Sequence, residues 1–150
     1  MKIEHKIVAH NSPEYWQEVD LRYRVLRQPL GLEFSQQELD KEADQLHIIA
    51  WADGKLAGCM VLVTVDDNTL KMRQVAVEPE MQRQGIGQSL VSYAEYYAID
   101  NGFCRIELHA REEAVQFYLD LGYTIISDRF MEVAIPHFKM VKDWCSVIGH

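Results

Sequence analysis

A glycine-containing loop between a strand pattern and a helix pattern has the most informative spacing in the sequence. The loop, Gln82 to Gly87 (QRQGIG), follows alternating apolar residues and leads directly into a helical pattern. Glycine lets the backbone turn tightly and leaves its N–H group bare, and the positive end of the helix dipole lies at the same place. Such an arrangement binds phosphate, whose approach a Cβ at Gly85 or Gly87 would obstruct. A Gly-x-Gly pattern taken alone is equally compatible with a plain helix start.

Two familiar phosphate-binding loops do not fit these residues. A P-loop requires Lys-Ser or Lys-Thr after its glycines, and neither follows here. The dinucleotide-binding fingerprint requires a third glycine where this chain has Leu90. The preceding strand also belongs to a predicted meander rather than to a βαβ unit. A nucleotide-dependent oxidoreductase is therefore disfavoured.

A second segment, Ala114 to Tyr123 (AVQFYLDLGY), lies downstream of the loop. Together the two segments resemble the GCN5-related N-acetyltransferases (GNAT). Gln82, Gly85 and Gly87 match the family's loop signature, Gln/Arg-x-x-Gly-x-Gly/Ala after a strand. The second segment is similar to the family's helix pattern, Ala-x-x-Phe-Tyr-x-x-x-Gly-Phe/Tyr. The tail segment 130–140 (FMEVAIPHFKM), which contains the IPHxxM pattern, further resembles a poorly characterised bacterial branch of small acetyltransferases.

The resemblance implies a cleft for acetyl-CoA as the cosubstrate, without a metal. The pyrophosphate would lie on the amides of residues 83–88, and the pantetheine would run beside strand residues 74–77. In family members a strand amide, here that of Val75 or a neighbour, polarises the thioester carbonyl, and preorganised amides perform this task well. The implied cofactor-binding residues are Val75, Ala76, Val77, Gln82, Arg83, Gln84, Gly85, Ile86, Gly87 and Gln88.

Tyr118 is the candidate general acid. A phenol with a reference pKa of ~10 keeps its proton at neutral pH and can donate it to the departing thiolate. The alternative is an aromatic pair, Phe117 and Tyr118, that packs the helix against the sheet, and we favour this alternative for Phe117 only. Many family members have Asn seven residues before this tyrosine, where the chain has Arg111. Because arginine cannot accept a hydrogen bond, Arg111 either points toward the cofactor or is a solvated charge.

Four residues are candidates for the side of the site that binds the amine: Arg73, His109, Glu132 and His137. His109 ends a strand just before the Tyr118 helix and has the chemistry of a catalytic base or a water relay. Arg73, on the cleft side of the motif strand, suits an acceptor that bears a carboxylate or a phosphate. Glu132 and His137 are assigned to substrate binding because they lie in the tail segment. For each of the four, a purely structural role is an equal alternative.

The resemblance implies an N-acetyltransferase that uses acetyl-CoA and acts by direct attack of an amine in a ternary complex. The acceptor amine, in a small molecule or a polypeptide, is not specified by the sequence. A non-catalytic module that binds or senses acyl-CoA is the alternative from a different functional class. Release of free thiol across a panel of amines would distinguish the two.

The elements that must position these residues alternate in type. Hydrophobic period and turn residues predict a strand at 2–9, helices that begin near Pro13 and Ser35, and a three-strand meander between His47 and Val77. A helix over 87–101 and a strand–helix–strand run follow, before a last strand over 137–144. This order predicts an α/β (α+β) sandwich in one domain, 1–150. The resemblance implies the acyl-CoA N-acyltransferase fold, with a mixed, mostly antiparallel sheet of about seven strands splayed at the cofactor strand and about four helices.

The composition limits the partners. A net charge of −8 argues against nucleic acid and mildly favours cationic ligands such as amines. Cys59, Cys104 and Cys145 are odd in number and far apart, which favours buried reduced thiols, and the histidine spacing predicts no metal site. The apolar runs are too short for a membrane span and the N-terminus lacks a signal-peptide pattern, so we expect a cytoplasmic protein without a membrane partner. A homodimer is allowed.

Overall fold

Eight strands form one mixed sheet in the computed structural model, which describes residues 1–146. They are β1 (Ile3–Val8), β2 (Leu46–Ala52), β3 (Lys55–Thr64), β4 (Thr69–Val77), β5 (Arg105–Arg111), β6 (Thr124–Ile125), β7 (Phe130–Glu132) and β8 (Ile135–Asp143). Their order is β1-β2-β3-β4-β5-β8-β6, with β7 paired to β8. β4 and β5 are parallel, whereas β1–β2, β2–β3 and the pairs that β8 makes are antiparallel. The predicted mixed, mostly antiparallel sheet is confirmed, and β7 is the strand that the sequence did not predict.

Four α-helices occur in the described residues: α1 (Pro13–Arg22), α2 (Gln36–Asp40), α3 (Ile86–Asp100) and α4 (Val115–Asp120). Ser12 caps α1 by accepting a hydrogen bond from the Tyr15 amide at 3.1 Å, with Pro13 as the first helical residue. Ser35 and Glu38 form the capping box that starts α2. The cap residues therefore define both starts in the structure as they do in the sequence.

The chain divides into two compact units, and β4 contributes to both. The first unit comprises Met1–Val63 and Gln74–Ala94. The second comprises Thr64–Arg73 and residues 95–146. The predicted phosphate loop lies in the first unit, and Tyr118, His109, Glu132 and His137 lie in the second.

In the first unit, Gly58 allows α3 to lie directly against β3. A Cβ on Gly58 would come within 2.9 Å of the Ile86 side chain and 3.0 Å of both Leu90 and the Ala76 carbonyl oxygen. These distances are too short for any larger residue, since protein interiors are close-packed. The absence of a side chain thus fixes the position of the first turn of α3, where the predicted phosphate loop ends.

In the second unit, one face of the sheet is covered and the other is polar. Ile106, Leu108 and Ala110 of β5 are buried, whereas the alternating residues Glu107, His109 and Arg111 are half-buried. Lys142 Nζ, which belongs to β8, donates to the Leu121 carbonyl at 2.8 Å and lies 3.3 Å from a Glu95 oxygen. These contacts fasten the end of α3 and the turn after α4 to one side of the strands.

Cys104 and Cys145 form a disulfide, so the expectation of three reduced cysteines is wrong for this pair. The two residues are 41 positions apart in sequence. Antiparallel pairing of β5 with β8 sets Arg105 opposite Asp143, and the Trp144 amide donates to the Cys104 carbonyl at 2.7 Å. The register therefore brings the flanking cysteines together, which sequence spacing alone does not reveal. Cys59 is a free, buried thiol, as expected.

Among the helices in residues 1–146, none is both long enough and apolar enough to span a bilayer.

Candidate active site

The predicted phosphate loop turns sharply into the N-terminus of α3. Arg83 and Gly85 have left-handed backbones, with φ of 64° and 86°, and a Cβ on Gly85 would meet no atom within 4 Å. The Gly85 carbonyl accepts a hydrogen bond from the Ser89 amide at 3.0 Å, so the helical ladder begins at this glycine. The first amides of a helix have no carbonyl partner within it and carry the positive end of its dipole. The geometry therefore suits an anion, and pyrophosphate binding by these amides stays a prediction.

Two glutamines of the loop brace it from within. Gln82 Nε2 donates to the Val77 carbonyl at 3.3 Å, and Gln84 Nε2 donates to the Glu80 carbonyl at 3.4 Å. Arg83, between them, is exposed. The structure thus gives the two amide side chains a supporting role and leaves the Arg83 side chain exposed to solvent.

β4 is interrupted at Gln74, immediately before the predicted cofactor segment. The parallel pairing with β5 ends at Met72, and Gln74 has a left-handed backbone with φ of 57°. Such a conformation costs a non-glycine residue about 1–3 kcal/mol and persists only where its surroundings hold it. Here Arg22 Nε donates to the Gln74 side-chain oxygen at 3.4 Å, and the Cys59 thiol donates to its carbonyl oxygen at 3.9 Å. The left-handed residue thus breaks the regular backbone of β4 immediately before Val75, although the strand continues to Val77, and the role of the Val75 amide stays a prediction.

The remaining predicted cofactor-binding residues differ in exposure. Ala76 and Ile86 are core residues, exposed by 2% and 1%, so only their backbone can serve a ligand. Gln88 is exposed, and the half-buried members are Val75, Val77 and Gly87.

A buried charged cluster adjoins Gln74 and was not identified from the sequence. It consists of Tyr15, Glu18, Arg22, Glu42 and His47, each exposed by 2% or less. Two guanidinium nitrogens of Arg22 bond the two carboxylate oxygens of Glu42, and the Tyr15 hydroxyl donates to the same carboxylate at 2.9 Å. Tyr15, Glu18 and Arg22 are spaced i, i+3 and i+7 and so lie on one face of α1. The sequence signal for this cluster is a pair of oppositely charged residues, Glu18 and Arg22, on the core-facing side of α1.

A proton must lie between His47 and Glu18 in this cluster. His47 Nε2 is 2.9 Å from the Glu42 carbonyl oxygen, which can only accept, so this nitrogen carries hydrogen. The other nitrogen, Nδ1, is 3.3 Å from a Glu18 oxygen and would oppose it with a bare lone pair if both groups lacked a further proton. Burial raises the pKa of the Glu18 carboxyl, against the opposing effects of His47 and Arg22. The pair therefore retains one shared proton.

Replacing Arg22 by methionine is expected to lower the free energy of unfolding by about 3–5 kcal/mol, because it leaves the buried Glu42 carboxylate without its partner. Arg24→Met is the matched control. Arg24 pairs with Asp20 and Glu78 while its side chain is 39% exposed, and the loss should be no more than about 1 kcal/mol. Urea unfolding measured by circular dichroism compares the two variants. Equal losses would contradict the importance given to burial.

The structure brings together three of the four candidates for the amine side: His109, Glu132 and His137. His109 Nδ1 is 3.0 Å from Glu132 Oε1. A carboxylate only accepts, so Nδ1 carries hydrogen and Nε2 is left with its lone pair. His137 Nδ1 donates to the Ile135 carbonyl at 2.8 Å, and its Nε2 is 3.6 Å from Glu132 Oε2. The Phe130 ring stands edge-on to His109, with 5.1 Å between centroids.

Glu132 is the group that orients this trio. Burial acts to raise the pKa of its carboxyl, but the hydrogen bond from His109, with a smaller contribution from the positive charge of Lys71, outweighs burial, and the pKa lies below its ordinary value. Glu132 is therefore ionised at neutral pH and holds His109 in the tautomer whose Nε2 can accept a proton. The side chain of His109 is 25% exposed, so a ligand can reach it.

Tyr118 is buried in the second unit, exposed by 7%. Its ring stands edge-on to those of Phe117 and Tyr123, at centroid distances of 5.0 and 5.8 Å. Burial raises the pKa of its hydroxyl. Phe117, expected to pack the helix against the sheet, is instead 37% exposed and touches only the Tyr118 ring among the aromatic contacts described.

Arg73 is the fourth candidate for the amine side, and Arg111 is the residue that departs from the family pattern. Both are half-buried and make interactions of their own. Metal binding finds no geometric support in residues 1–146, where no three His, Cys, Asp or Glu side chains are arranged to hold an ion.

Comparison with protein families shows that residues 8–123 match the model of the acetyltransferase (GNAT) family. Two curated relatives come from Bacillus subtilis. The uncharacterized protein YyaT is 34% identical over 76 residues, 51% of each chain, so the match spans about half the length of that relative. The uncharacterized N-acetyltransferase YjcF is 29% identical over 111 residues, which cover 73% of this chain and 79% of that protein.

Solved structures share the fold at low sequence identity. Escherichia coli ElaA superposes with a TM-score of 0.78 and 20% identity, covering 95% of this chain and 100% of that one. A GNAT family acetyltransferase from Elizabethkingia anophelis, solved with acetyl-CoA bound, gives a TM-score of 0.73 at 18% identity and covers 94% and 97%. The predicted acyl-CoA N-acyltransferase fold is thereby confirmed.

Proposed function

We propose that this chain, which belongs to the GNAT acetyltransferase family and is an acetyl-CoA-dependent N-acetyltransferase, acts by direct attack of an amine on the thioester within a ternary complex. One observation carries the proposal. In the first unit, the interrupted strand β4 and the left-handed loop that opens α3 are joined by fewer than ten residues. The first element places the Val75 amide directly after the left-handed Gln74, and the second supplies a row of helix-end amides.

The amides carry out the electrostatic part of the reaction. Those of residues 83–88 hold the pyrophosphate, with Arg83 as an added cation. The amide of Val75 donates to the thioester carbonyl as negative charge develops on its oxygen. Amides fixed in advance need no rearrangement at that moment, which is why they stabilise a transition state effectively.

The acceptor must lose a proton before it attacks. Removing the proton of a lysine-like amine at pH 7 costs about 4.6 kcal/mol, whereas an α-amine costs only about 1 kcal/mol. The Nε2 atom of His109 takes this proton from the amine, and Glu132 stabilises the imidazolium that results. The 3.0 Å contact between His109 and Glu132 supports this assignment. Tyr118 supports departure of the thiolate, and Arg73 and His137 bind the acceptor.

In the proposed enzyme, residues 1–150 form one acetyltransferase domain. Two copies of the chain form a homodimer. β1 is an edge strand of the sheet, and Ile7 on it is 42% exposed. Within residues 1–146 no strand pairs with the outer edge of β1, and an edge of this kind supports pairing with a second copy.

Thiol release from acetyl-CoA across a panel of primary amines tests the function. An N-acetyltransferase releases one CoA thiol for each amide formed, and mass spectrometry identifies the acetylated amine. Acetyl-CoA binding measured by calorimetry, together with no thiol release from any amine, would instead establish the alternative, a non-catalytic acyl-CoA-binding module.

His109→Gln is expected to lower kcat/KM at pH 7 by about 10²-fold for a lysine-like acceptor, the lower end of the range for a positioned base. The loss should be smaller for an α-amine, because less free energy is needed to remove its proton. Raising the pH should restore activity as the amine loses its proton to bulk water. Stopped-flow thiol detection across pH 6–10 measures this effect, and an equal loss for both amines at every pH would assign His109 a structural role.

A further inference from the structure

The polar face of the second unit extends over four strands, β4, β5, β8 and β7. Lys71 of β4 lies opposite Glu107 of β5, and on the next pair His109 lies opposite Lys139 and Arg111 opposite His137. Residues directly opposite one another in a sheet are neighbours on the same face. We name the set Lys71, Arg73, Glu107, His109, Arg111, Glu132, His137 and Lys139 the basic face.

The basic face has an excess of positive charge on an acidic chain. Four side chains are cationic and two are carboxylates, so two positive charges are in excess with both imidazoles neutral, while the whole chain has a net charge of −8. The two carboxylates are already engaged. Glu107 lies 3.5 Å from Lys139 Nζ, and Glu132 binds His109. Arg73 and Arg111 have interactions of their own. The feature that points to an anionic ligand is therefore the excess of positive charge.

We infer that the acceptor is a small amine that also carries an anionic group, and that the basic face binds this group beside His109. The inference rests on the proposed function. Lys71, half-buried on β4, and Lys139 supply charge at either side of the His109 strand. A carboxylate or a phosphate satisfies the excess positive charge, and both present the oxygen acceptors that lysine and arginine bind.

The same charges assist the chemistry that follows. Positive neighbours disfavour the ammonium form of a bound amine and so favour the neutral form that attacks the thioester. They also repel amines that lack an anionic group, because these arrive as simple cations. Local charge on this face therefore reverses the preference for plain cationic ligands that the net charge of the chain suggests.

Matched acceptor pairs test the inference. L-Phenylalanine is compared with L-phenylalaninamide, and phosphoethanolamine with ethanolamine, in the thiol-release assay with acetyl-CoA. We expect at least one acceptor that bears the anionic group to have a kcat/KM about tenfold or more above that of its counterpart without this group, with the difference falling as salt is added. The carboxylate and phosphate pairs identify which anion the face binds.

The outcomes separate this inference from the proposed function. Equal or better acetylation of both members that lack the anionic group, or acetylation confined to such amines, would overturn the inference and leave the N-acetyltransferase mechanism intact. Binding of acetyl-CoA without thiol release from any amine would overturn both.

Lys71→Gln locates the effect on the basic face. We expect KM for the preferred anionic acceptor to rise about five- to tenfold, as for loss of one partly buried charge contact, with kcat within about twofold. KM for the counterpart that lacks the anionic group should not rise. Lys55→Gln, at an exposed position of β3 in the first unit, is the matched control and should change neither value. An unchanged KM in Lys71→Gln, with thermal melting showing an intact fold, would contradict the assignment.

Discussion

Tyr118→Phe is expected to lower kcat by about 10²–10⁴-fold, the usual range for loss of a positioned acid, while acetyl-CoA affinity changes little. The substitution removes one oxygen and keeps the ring, whose edge-on contacts with Phe117 and Tyr123 hold it in place. The packing of the second unit should therefore survive. A loss confined to KM would instead mean that the hydroxyl only positions the cofactor.

Burial defines how this hydroxyl can help the leaving group. It raises the pKa of Tyr118 above its ordinary value. The reference values of ~10 for a phenol and ~8.5 for a thiol already make complete proton transfer unfavourable by about 2 kcal/mol. We therefore expect Tyr118 to act mainly by donating a hydrogen bond to sulfur as negative charge develops there. The raised pKa keeps the donor protonated across the neutral and mildly alkaline range, so activity should not decline through titration of this group near pH 9.

Tyr123→Phe is the matched control for Tyr118→Phe. Its hydroxyl donates to Glu95 at 2.9 Å, and its ring is next to that of Tyr118. Removing this oxygen should cost about 1 kcal/mol of stability and leave kcat within about twofold. Single-turnover rates are required for both variants, because product release limits turnover in many enzymes. No effect of Tyr118→Phe on the single-turnover rate would return Tyr118 to a packing role.

Local signals in the sequence account for most of the elements that position the candidate site. Ser12-Pro13 and the Ser35-Glu38 box each satisfy amides at a helix start, so they predict both starts without tertiary information. The alternation of β4 and the switch to helical period at Ile86 are likewise local. The elements that the structure confirms are therefore those whose sequence signals lie within a few residues of one another.

The β7–β8 hairpin shows why one strand was missed. Its two-residue turn is Val133-Ala134, and both residues have left-handed backbones, with φ of 50° and 61°. Tight hairpins normally place Gly, Asn or Asp at such positions, so the sequence contains no turn signal. A β-branched residue with positive φ must be held by its surroundings. In this hairpin, Phe130 pairs with His137 and Glu132 with Ile135, so the turn positions Glu132 beside the histidines.

Contacts between distant segments explain what else the sequence did not reveal. The disulfide depends on the register of β5 with β8, and the buried charged cluster joins α1 to residues 42 and 47. His109, Glu132 and His137 could each be named as candidates, yet the 3.0 Å contact that gives them a joint role exists only once β7 folds back along β8. Residue types predicted the chemistry here, and tertiary structure supplied the geometry.

Gly85→Asp is expected to abolish acetyl-CoA binding and leave the fold largely intact. A new carboxylate about 4 Å from the pyrophosphate would oppose it by about 4 kcal/mol, an affinity loss of about 10³-fold. The backbone at Gly85 is left-handed (φ 86°), so any larger residue adds strain of about 1 kcal/mol, but its Cβ would meet no atom within 4 Å. Gly54→Asp is the matched control, because Gly54 has φ of 84°, equal open space, and a place in the β2–β3 turn. Isothermal calorimetry with CoA compares the two folded variants. Wild-type affinity in Gly85→Asp would remove the loop from the site, whereas equal loss in both variants would attribute the effect to strain.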